Sequence, residues 1–406
     1  MLKNLFYGMD NSDQIFLAFL EISIFITVAQ AFHLASLKYK LPSIFGEILT
    51  GIILGPFALG TFLNSIIGLN VFTINNYLIL FSQFSVILLI FAAGLEHGFR
   101  SLRSSGLYAL LAASIGAILP FVGVYYVMTF FTSKGVALLM GAAAGATSLA
   151  AISSIIEGMG IQGEKFVKIL TSSAAIDDVV SFIILSIALS LIEGIRGGYL
   201  GLLKTASFVI ISWVIILLAS VLIIPRLLSI VSDNLVVETS LMILFILTVI
   251  MITLGFSPII AAFIAGIAIA ESRKAERIKG MVTALLSIFG SIFFVTIGAE
   301  TNVLSFVNLR VLEIGLILTA LASLLKFAGI LPFAFLYTKK MKHAIMTSFG
   351  MIPRGEMGLV IASLAFADNI FSEDNLSEVV FMSLLTTIIG GMFFNLSVRK
   401  WLASFP

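Results

Sequence analysis

The sequence predicts an all-α integral membrane protein with about thirteen transmembrane helices, an outside N-terminus and an inside C-terminus. Three observations lead to this fold class. The composition is strongly apolar, the apolar residues form segments of membrane-spanning length, and Lys and Arg are concentrated on one side of the predicted membrane.

The composition excludes a water-soluble globular protein. Of the 406 residues, 60% are hydrophobic and 11% are charged, whereas about 25% of the residues of a soluble domain are charged. The mean hydropathy is +1.17. A net charge of +2 with dispersed basic residues does not indicate a nucleic-acid partner, so the lipid bilayer is the expected partner. Because the chain has no cysteine, disulfides, thiolate metal sites and a cysteine nucleophile are excluded, and no cofactor is expected.

Apolar runs between polar breaks give thirteen candidate spans, since a spanning helix needs about 20 mostly apolar residues. Two are weak: the second contains Glu47 and many glycines, and the ninth is short and begins with Ser257-Pro258. The predicted spans are 15–35, 43–60, 77–95, 105–131, 136–156, 167–192, 201–223, 236–254, 257–271, 281–299, 310–337, 344–366 and 378–398.

The positive-inside rule supports this count. With the N-terminus outside, the inner loops and C-terminus carry 16 of the 23 Lys and Arg residues and the outer side carries 5. Lys326 and Arg354 remain within the membrane. Thirteen segments also fit two inverted six-helix repeats joined by a linker helix at 201–223, a common plan of secondary transporters.

Asp177 and Asp178 are adjacent acids near the middle of the segment 167–192. An ionisable group at the bilayer centre costs roughly 2.5–3.5 kcal/mol, so it is retained when it is paired, solvated or functional. Neighbouring helical residues point about 100° apart, so the two carboxylates can have different partners. A pair that holds protons and a monovalent cation in turn explains the pattern better than anchoring of helices does.

Lys326, near the middle of 310–337, needs a carboxylate partner at the same depth, and Asp177 and Asp178 are the candidates. Snorkelling to the membrane surface is the alternative.

Two segments at equivalent places in the two halves are predicted to be interrupted. In 344–366, Arg354 and Glu356 lie among Pro353, Gly355 and Gly358, and this pair could neutralise exposed helix dipole ends or act as a purely structural pair. In 136–156, the small-residue run 141–154 contains Thr147 and Ser148 as oxygen ligands, although close helix packing alone could explain the run. Glu47, near the cytoplasmic end of 43–60, is interpreted as an interfacial residue, with a funnel charge as the alternative, and no role is predicted for Glu21.

Six blocks resemble the cation:proton antiporters, and the branch they are most similar to is that of the Kef- and Nap-type sodium/proton or potassium/proton exchangers. They are PSIFGEILTGIILGP, LLIFAAGLE, SSAAIDDVVSF, SPIIAAFIAGIAIAES, IFFVTIGAETN and IPRGEMGLVIAS, and together they extend over almost the whole chain.

The resemblance implies a homodimer in the plasma membrane, with a mobile core at 77–192 and 310–398 and a dimerisation scaffold at 15–60 and 236–299. It implies that Asp178 binds the cation or protons in competition, and that Asp177 pairs with Lys326 in one protonation state. Thr147 and Ser148 would lie at the crossover. It also implies electrogenic sodium/proton exchange, because members with an Asp-Asp pair and this lysine move net charge.

Other activities remain open. A potassium/proton antiporter has the same site, and a sodium-coupled organic-anion symporter shares the general fold but needs more polar ligands. A channel would need a filter-like carbonyl signature. An intramembrane aspartyl protease needs its two acids on facing helices, so no enzyme activity is predicted.

Overall fold

The computed structural model describes residues 14–38, 43–104, 106–148, 150–194, 198–254 and 256–402. All regular structure in these ranges is helical, and no strand occurs in them. The α-helices are α1 Gln14–Lys38, α2 Ser43–Leu54, α3 Leu59–Ile67, α4 Asn76–Ser104, α5 Gly106–Met128, α6 Lys134–Gly145, α7 Ala150–Met159, α8 Lys165–Gly194, α9 Gly198–Ile230, α10 Val236–Thr253, α11 Pro258–Ala270, α12 Ala275–Glu300, α13 Leu309–Thr338, α14 Met341–Gly350, α15 Glu356–Ala367 and α16 Glu373–Leu402; short 3₁₀ helices occupy Asp233–Leu235 and Val303–Val307.

Nine helices of the described part are long and apolar enough to cross a membrane. The number is ten if α2 and α3, which are bent by 52° relative to each other, form one span. Each of the thirteen predicted segments overlaps one helix or one broken pair of helices. The prediction of an all-helical, multispan protein is therefore confirmed, while thirteen crossings, the N-out topology and the inverted repeats stay predictions.

The chain divides into two compact units, Met1–Leu89 with Gly280–Leu312, and Ile90–Lys279 with Glu313–Pro406. The predicted core and scaffold are defined by relative motion, which this division does not measure, so their boundaries stay a prediction.

Each unit contains a very close helix crossing at which two glycines meet, Gly51 with Gly298 in the first and Gly94 with Gly266 in the second. In the first unit, a Cβ on Gly51 of α2 would lie 1.9 Å from the carbonyl oxygen of Val295 on α12. In the second unit, a Cβ on Gly266 of α11 would lie 2.3 Å from the carbonyl oxygen of Phe91 on α4. Only glycine permits such an approach of two backbones, and small residues at helix contacts are typical of membrane proteins.

The weak ninth segment is a buried helix. α11 begins at Pro258, where Ser257 caps the first turn by accepting a hydrogen bond from the N–H of Ile259. Every residue from Ile259 to Ile269 is buried. A helix that is apolar on all sides packs inside the protein, which explains why 13 residues suffice.

Candidate functional site

Both predicted helix interruptions are present, and both lie in the second unit. The first separates α6 from α7, and its residues Ala146, Thr147 and Ser148 are not helical. The second separates α14 from α15 at residues 351–355, where Pro353 lacks an N–H and cannot continue the helical hydrogen bonding. Each interruption leaves helix ends with unpaired carbonyl and N–H groups inside the fold, and these groups need partners.

The two interruptions bind each other directly. The N–H of Ser148 donates to the carbonyl oxygen of Pro353 at 2.9 Å. The Thr147 hydroxyl lies 3.5 Å from the carbonyl oxygen of Met351, and the Ser148 hydroxyl donates to the Glu356 carboxylate. The predicted crossing of the two broken helices is therefore present, with Thr147 and Ser148 at its centre.

Arg354 satisfies the carbonyl groups that the interruptions leave open. Its side chain is fully buried. It donates to the carbonyl of Ala144 in the last turn of α6 (2.6 Å), to those of Met351 (3.1 Å) and Ile352 (2.6 Å) after α14, and to that of Ala322 in α13 (2.9 Å). A guanidinium has five donors and a permanent positive charge, so it suits the negative ends of helix dipoles.

Glu356 is the first residue of α15, where a carboxylate is favoured by the positive end of the helix dipole. The prediction that Arg354 and Glu356 neutralise dipole ends thus agrees with their positions. They do so separately, because the donors of Arg354 bind carbonyl oxygens and the Glu356 carboxylate binds Ser148.

Lys326 and Asp177 form a buried ion pair. The Lys326 Nζ lies 2.6 Å from Asp177 Oδ1, and neither side chain is accessible to solvent. The same ammonium donates to the carbonyl oxygen of Gly145 at 2.7 Å, in the last turn of α6. The prediction that Lys326 pairs with a neighbouring carboxylate is confirmed in this structure by its ion pair with Asp177.

Asp178 occupies a more open position than Asp177. It is half-buried, whereas Asp177 is fully buried. Asp178 interacts electrostatically with both Lys326 and Glu356. The structure therefore brings all seven predicted site residues to one place: Thr147, Ser148, Asp177, Asp178, Lys326, Arg354 and Glu356.

Sequence reasoning missed the backbone acceptors of this site. The carbonyl groups of Ala144, Gly145 and Ala322 hold the two buried cations, but nothing in their side chains indicates it. The available signal was indirect, since a buried Lys or Arg must find acceptors and broken helices expose them.

Glu21, which had no predicted role, and Glu47, which was interpreted as an interfacial residue or a funnel charge, are both buried in the first unit. Glu21 accepts hydrogen bonds from the N–H of Thr73 (3.0 Å) and from the Asn75 side chain (2.6 Å), so it holds the segment before α4. Glu47 on α2 accepts a hydrogen bond from the Ser291 hydroxyl on α12 at 2.8 Å. Neither residue belongs to the second unit, where the crossing lies.

Comparisons with known proteins agree with these observations. The chain is 28% identical over 371 residues to a Na(+)/H(+) antiporter of Enterococcus hirae, covering 90% of this chain and 94% of that protein. It is 29% identical over 380 residues to the Na(+)/H(+)-K(+) antiporter GerN of Bacillus cereus, covering 91% and 94%.

A solved structure also matches. The fold is similar to that of the sodium proton antiporter MjNhaP1 from Methanocaldococcus jannaschii, with a TM-score of 0.73, 16% identity, and coverage of 96% of this chain and 100% of that one. The family model described as sodium/hydrogen exchanger, transmembrane, matches residues 22–400. This match extends over nearly the whole chain and includes every residue of the helix crossing. The protein therefore belongs to the transmembrane sodium/hydrogen exchanger family.

Proposed function

We propose that this multi-pass membrane protein exchanges sodium ions for protons by alternating access, with the cation and protons competing for Asp177 and Asp178. The observation that carries the site is the buried Lys326–Asp177 pair beside the half-buried Asp178, at the crossing of two broken helices. Family membership and the named relatives support the choice of ions.

The competition follows from elementary electrostatics. A bound cation favours the ionised form of a carboxylate, and a bound proton removes the charge that attracts the cation. Obligatory exchange results if the core moves the site across the membrane barrier only when its charge is compensated. The proposed mechanism needs no covalent chemistry and no cofactor.

The charges at the crossing suit a single monovalent ion. When all groups are ionised, Lys326 and Arg354 carry two positive charges, and Asp177, Asp178 and Glu356 carry three negative charges, so these five residues together have one net negative charge. One sodium ion neutralises it. A doubly charged cation would leave an excess positive charge in a low-dielectric site, which is unfavourable.

The finer architecture is also a proposal: thirteen crossings with the N-terminus outside, inverted six-helix repeats, and a homodimer in the plasma membrane. The two interruptions support the repeats, because they lie in the fifth predicted segment of each half. The two glycine crossings add support. One pairs the second segment of the first half with the third of the second half, and the other pairs the second segment of the second half with the third of the first half.

The decisive experiment uses purified protein in proteoliposomes with an imposed pH gradient and an internal pH-sensitive dye. Wild type, Asp178→Asn and Asp368→Asn are compared after addition of Na⁺, Li⁺ or K⁺; Asp368 is an exposed aspartate after α15 and serves as the control. We expect Na⁺ to dissipate the gradient with wild type and Asp368→Asn, but not with Asp178→Asn. Exchange by Asp178→Asn would refute the assigned site.

Potassium is the second candidate ion, because the Bacillus cereus relative is named a Na(+)/H(+)-K(+) antiporter. A response to K⁺ of the same size as that to Na⁺ would favour a mixed or potassium exchanger. Charge movement is tested in the same vesicles by imposing a membrane potential, which changes the exchange rate if transport is electrogenic. No response to any cation would refute the antiporter and would favour the sodium-coupled symporter.

A further inference from the structure

The buried face of α8 is polar only at its centre. Seven residues at helical spacing are at most 1% exposed, and they run in the order Phe166, Leu170, Ser173, Asp177, Ser181, Leu185 and Ala188. The apolar ends of this face pack as the interior of a helical protein requires. At its centre, the Asp177 carboxylate lies between the hydroxyls of Ser173, one helical turn before it, and Ser181, one turn after it.

These three side chains have unused hydrogen-bonding capacity. Seven buried side-chain nitrogen or oxygen atoms of the described residues have no hydrogen-bond partner there, and three of them are Ser173 Oγ, Asp177 Oδ2 and Ser181 Oγ. A buried helical serine usually donates to the carbonyl four residues before it, as Ser186 does to Phe182 at 2.7 Å. Unsatisfied buried polar atoms are rare, so three on one helix face need an explanation.

The position of Lys326 suggests that explanation. Lys326 binds Oδ1 of Asp177 and leaves Oδ2 without a donor. When the ion pair opens, the Asp177 carboxylate loses the one donor it has among the described residues and must find others in a buried region. Serine hydroxyls at i−4 and i+4 are within reach of a helical side chain, directly or through one water molecule.

We propose that Ser173 and Ser181 are the alternative hydrogen-bond donors of Asp177, and that they stabilise its carboxylate when Lys326 leaves it. The inference rests on the proposed function, in which the Lys326–Asp177 pair forms in one protonation state and opens in the other. The two serines then set how easily the pair opens. They are positioning residues for the exchange.

The direction of the effect follows from the charges around Asp177. Lys326 on α13, Arg354 before α15 and Asp178 on α8 are the charged groups that interact with Asp177 or with its partner, and α5 contains no acidic or basic residue. Loss of a serine hydroxyl destabilises only the open state. The ion pair, which needs the charged form of Lys326, then persists to higher pH. At any given pH, the cation must therefore compete with a more stable ion pair than in wild type.

The test compares Ser173→Ala and Ser181→Ala with Ser186→Ala as the control on the same helix. One hydrogen bond to a charged group corresponds to about a tenfold change in an equilibrium. We therefore expect each of the two alanine variants to raise the apparent KM for Na⁺ about tenfold and to shift the pH profile of exchange upward by about one unit. The maximal rate should stay near that of wild type, and Ser186→Ala should leave both quantities unchanged.

Two further measurements separate this role from packing. Ser173→Thr and Ser181→Thr keep the hydroxyl and should restore the KM. The unfolding midpoint of the alanine variants should not fall, because the serine hydroxyls have no partner to lose while the pair is closed. A loss of stability and of maximal rate at unchanged KM would overturn the proposal, as would alanine variants identical to wild type. A wild type that exchanges no cation would refute the proposed function itself, and the inference with it.

Discussion

Replacement of Arg354 is the most demanding test of the helix crossing. The guanidinium is fully buried and donates to four carbonyl groups on three segments, at Ala144, Met351, Ile352 and Ala322. Arg354→Ala removes all four donors at once. The carbonyl groups cannot turn to water, because the crossing is buried.

The magnitude can be worked out from these contacts. A hydrogen bond to a charged group contributes about 1.5–3 kcal/mol, and neighbouring bonds are not additive. We take two of the four as a lower bound and expect Arg354→Ala to lower the free energy of unfolding by at least about 3 kcal/mol. Arg354→Lys keeps the positive charge, but the three N–H donors of an ammonium sit on one nitrogen and cannot reach all four carbonyl groups. We expect this variant to lose less unfolding free energy than Arg354→Ala, but still more than about 1 kcal/mol.

Unfolding by denaturing detergent in mixed micelles, followed by circular dichroism, gives these values. Arg399→Ala, which changes an exposed arginine in the last turn of α16, is the matched control. If the free energy of unfolding of Arg354→Ala lies within about 1 kcal/mol of that of this control, the hydrogen bonds from the guanidinium to the carbonyl groups do not stabilise the crossing. The account of the crossing would then be wrong.

Three further stability predictions follow, each measured by the same unfolding assay. Removal of either Asp177 or Lys326 should cost about 3–5 kcal/mol, because each single variant leaves the other charge buried and unpaired. The double variant Asp177→Asn with Lys326→Met leaves no lone buried charge, so it should cost clearly less than the sum of the two single losses. Additive losses would contradict the ion pair. Gly266→Ala should destabilise by about 1–3 kcal/mol because its Cβ would meet backbone at 2.3 Å, whereas Gly280→Ala, which meets nothing within 4 Å, should not; equal effects would contradict the close crossing. Glu21→Ala should cost about 1–3 kcal/mol by leaving two donors unpaired, and Glu21→Gln less, since an amide oxygen can still accept one bond; equal losses would show that the contribution is packing alone.

The parts of the site that could be predicted were those where burial leaves few options. A lysine at the depth of Lys326 requires a carboxylate, and the membrane segments offer few, so Asp177 and Asp178 were the candidates. Pro353 marks a helix break by its missing N–H, and the matching break at Thr147 and Ser148 was predicted from its equivalent place in the other half. These predictions depend on single-residue physics, which the sequence shows directly.

The parts that could not be predicted depend on three-dimensional neighbours. Arg354 binds backbone carbonyl groups, which every residue has, so its partners leave no trace in the sequence. Glu21 is satisfied by Thr73 and Asn75, more than 50 residues away along the chain. The residues alone left Asp177 and Asp178 open as the partner of Lys326, because two adjacent acids do not show how α8 is rotated about its axis; only the family resemblance implied Asp177.

The contacts of Lys326 also explain how the site could change state without losing its structure. The ammonium binds Asp177 and the carbonyl of Gly145 at once, at 2.6 Å and 2.7 Å. If a cation takes the place of Lys326 at Asp177, the lysine can keep its bond to Gly145 and stay at the end of α6. The ion pair can then open and close with a small movement of one side chain, while Arg354 continues to hold the broken helices together. We therefore propose that Lys326 takes part in the exchange cycle, whereas Arg354 holds the crossing throughout it, so the pair can be broken in each cycle while the crossing persists.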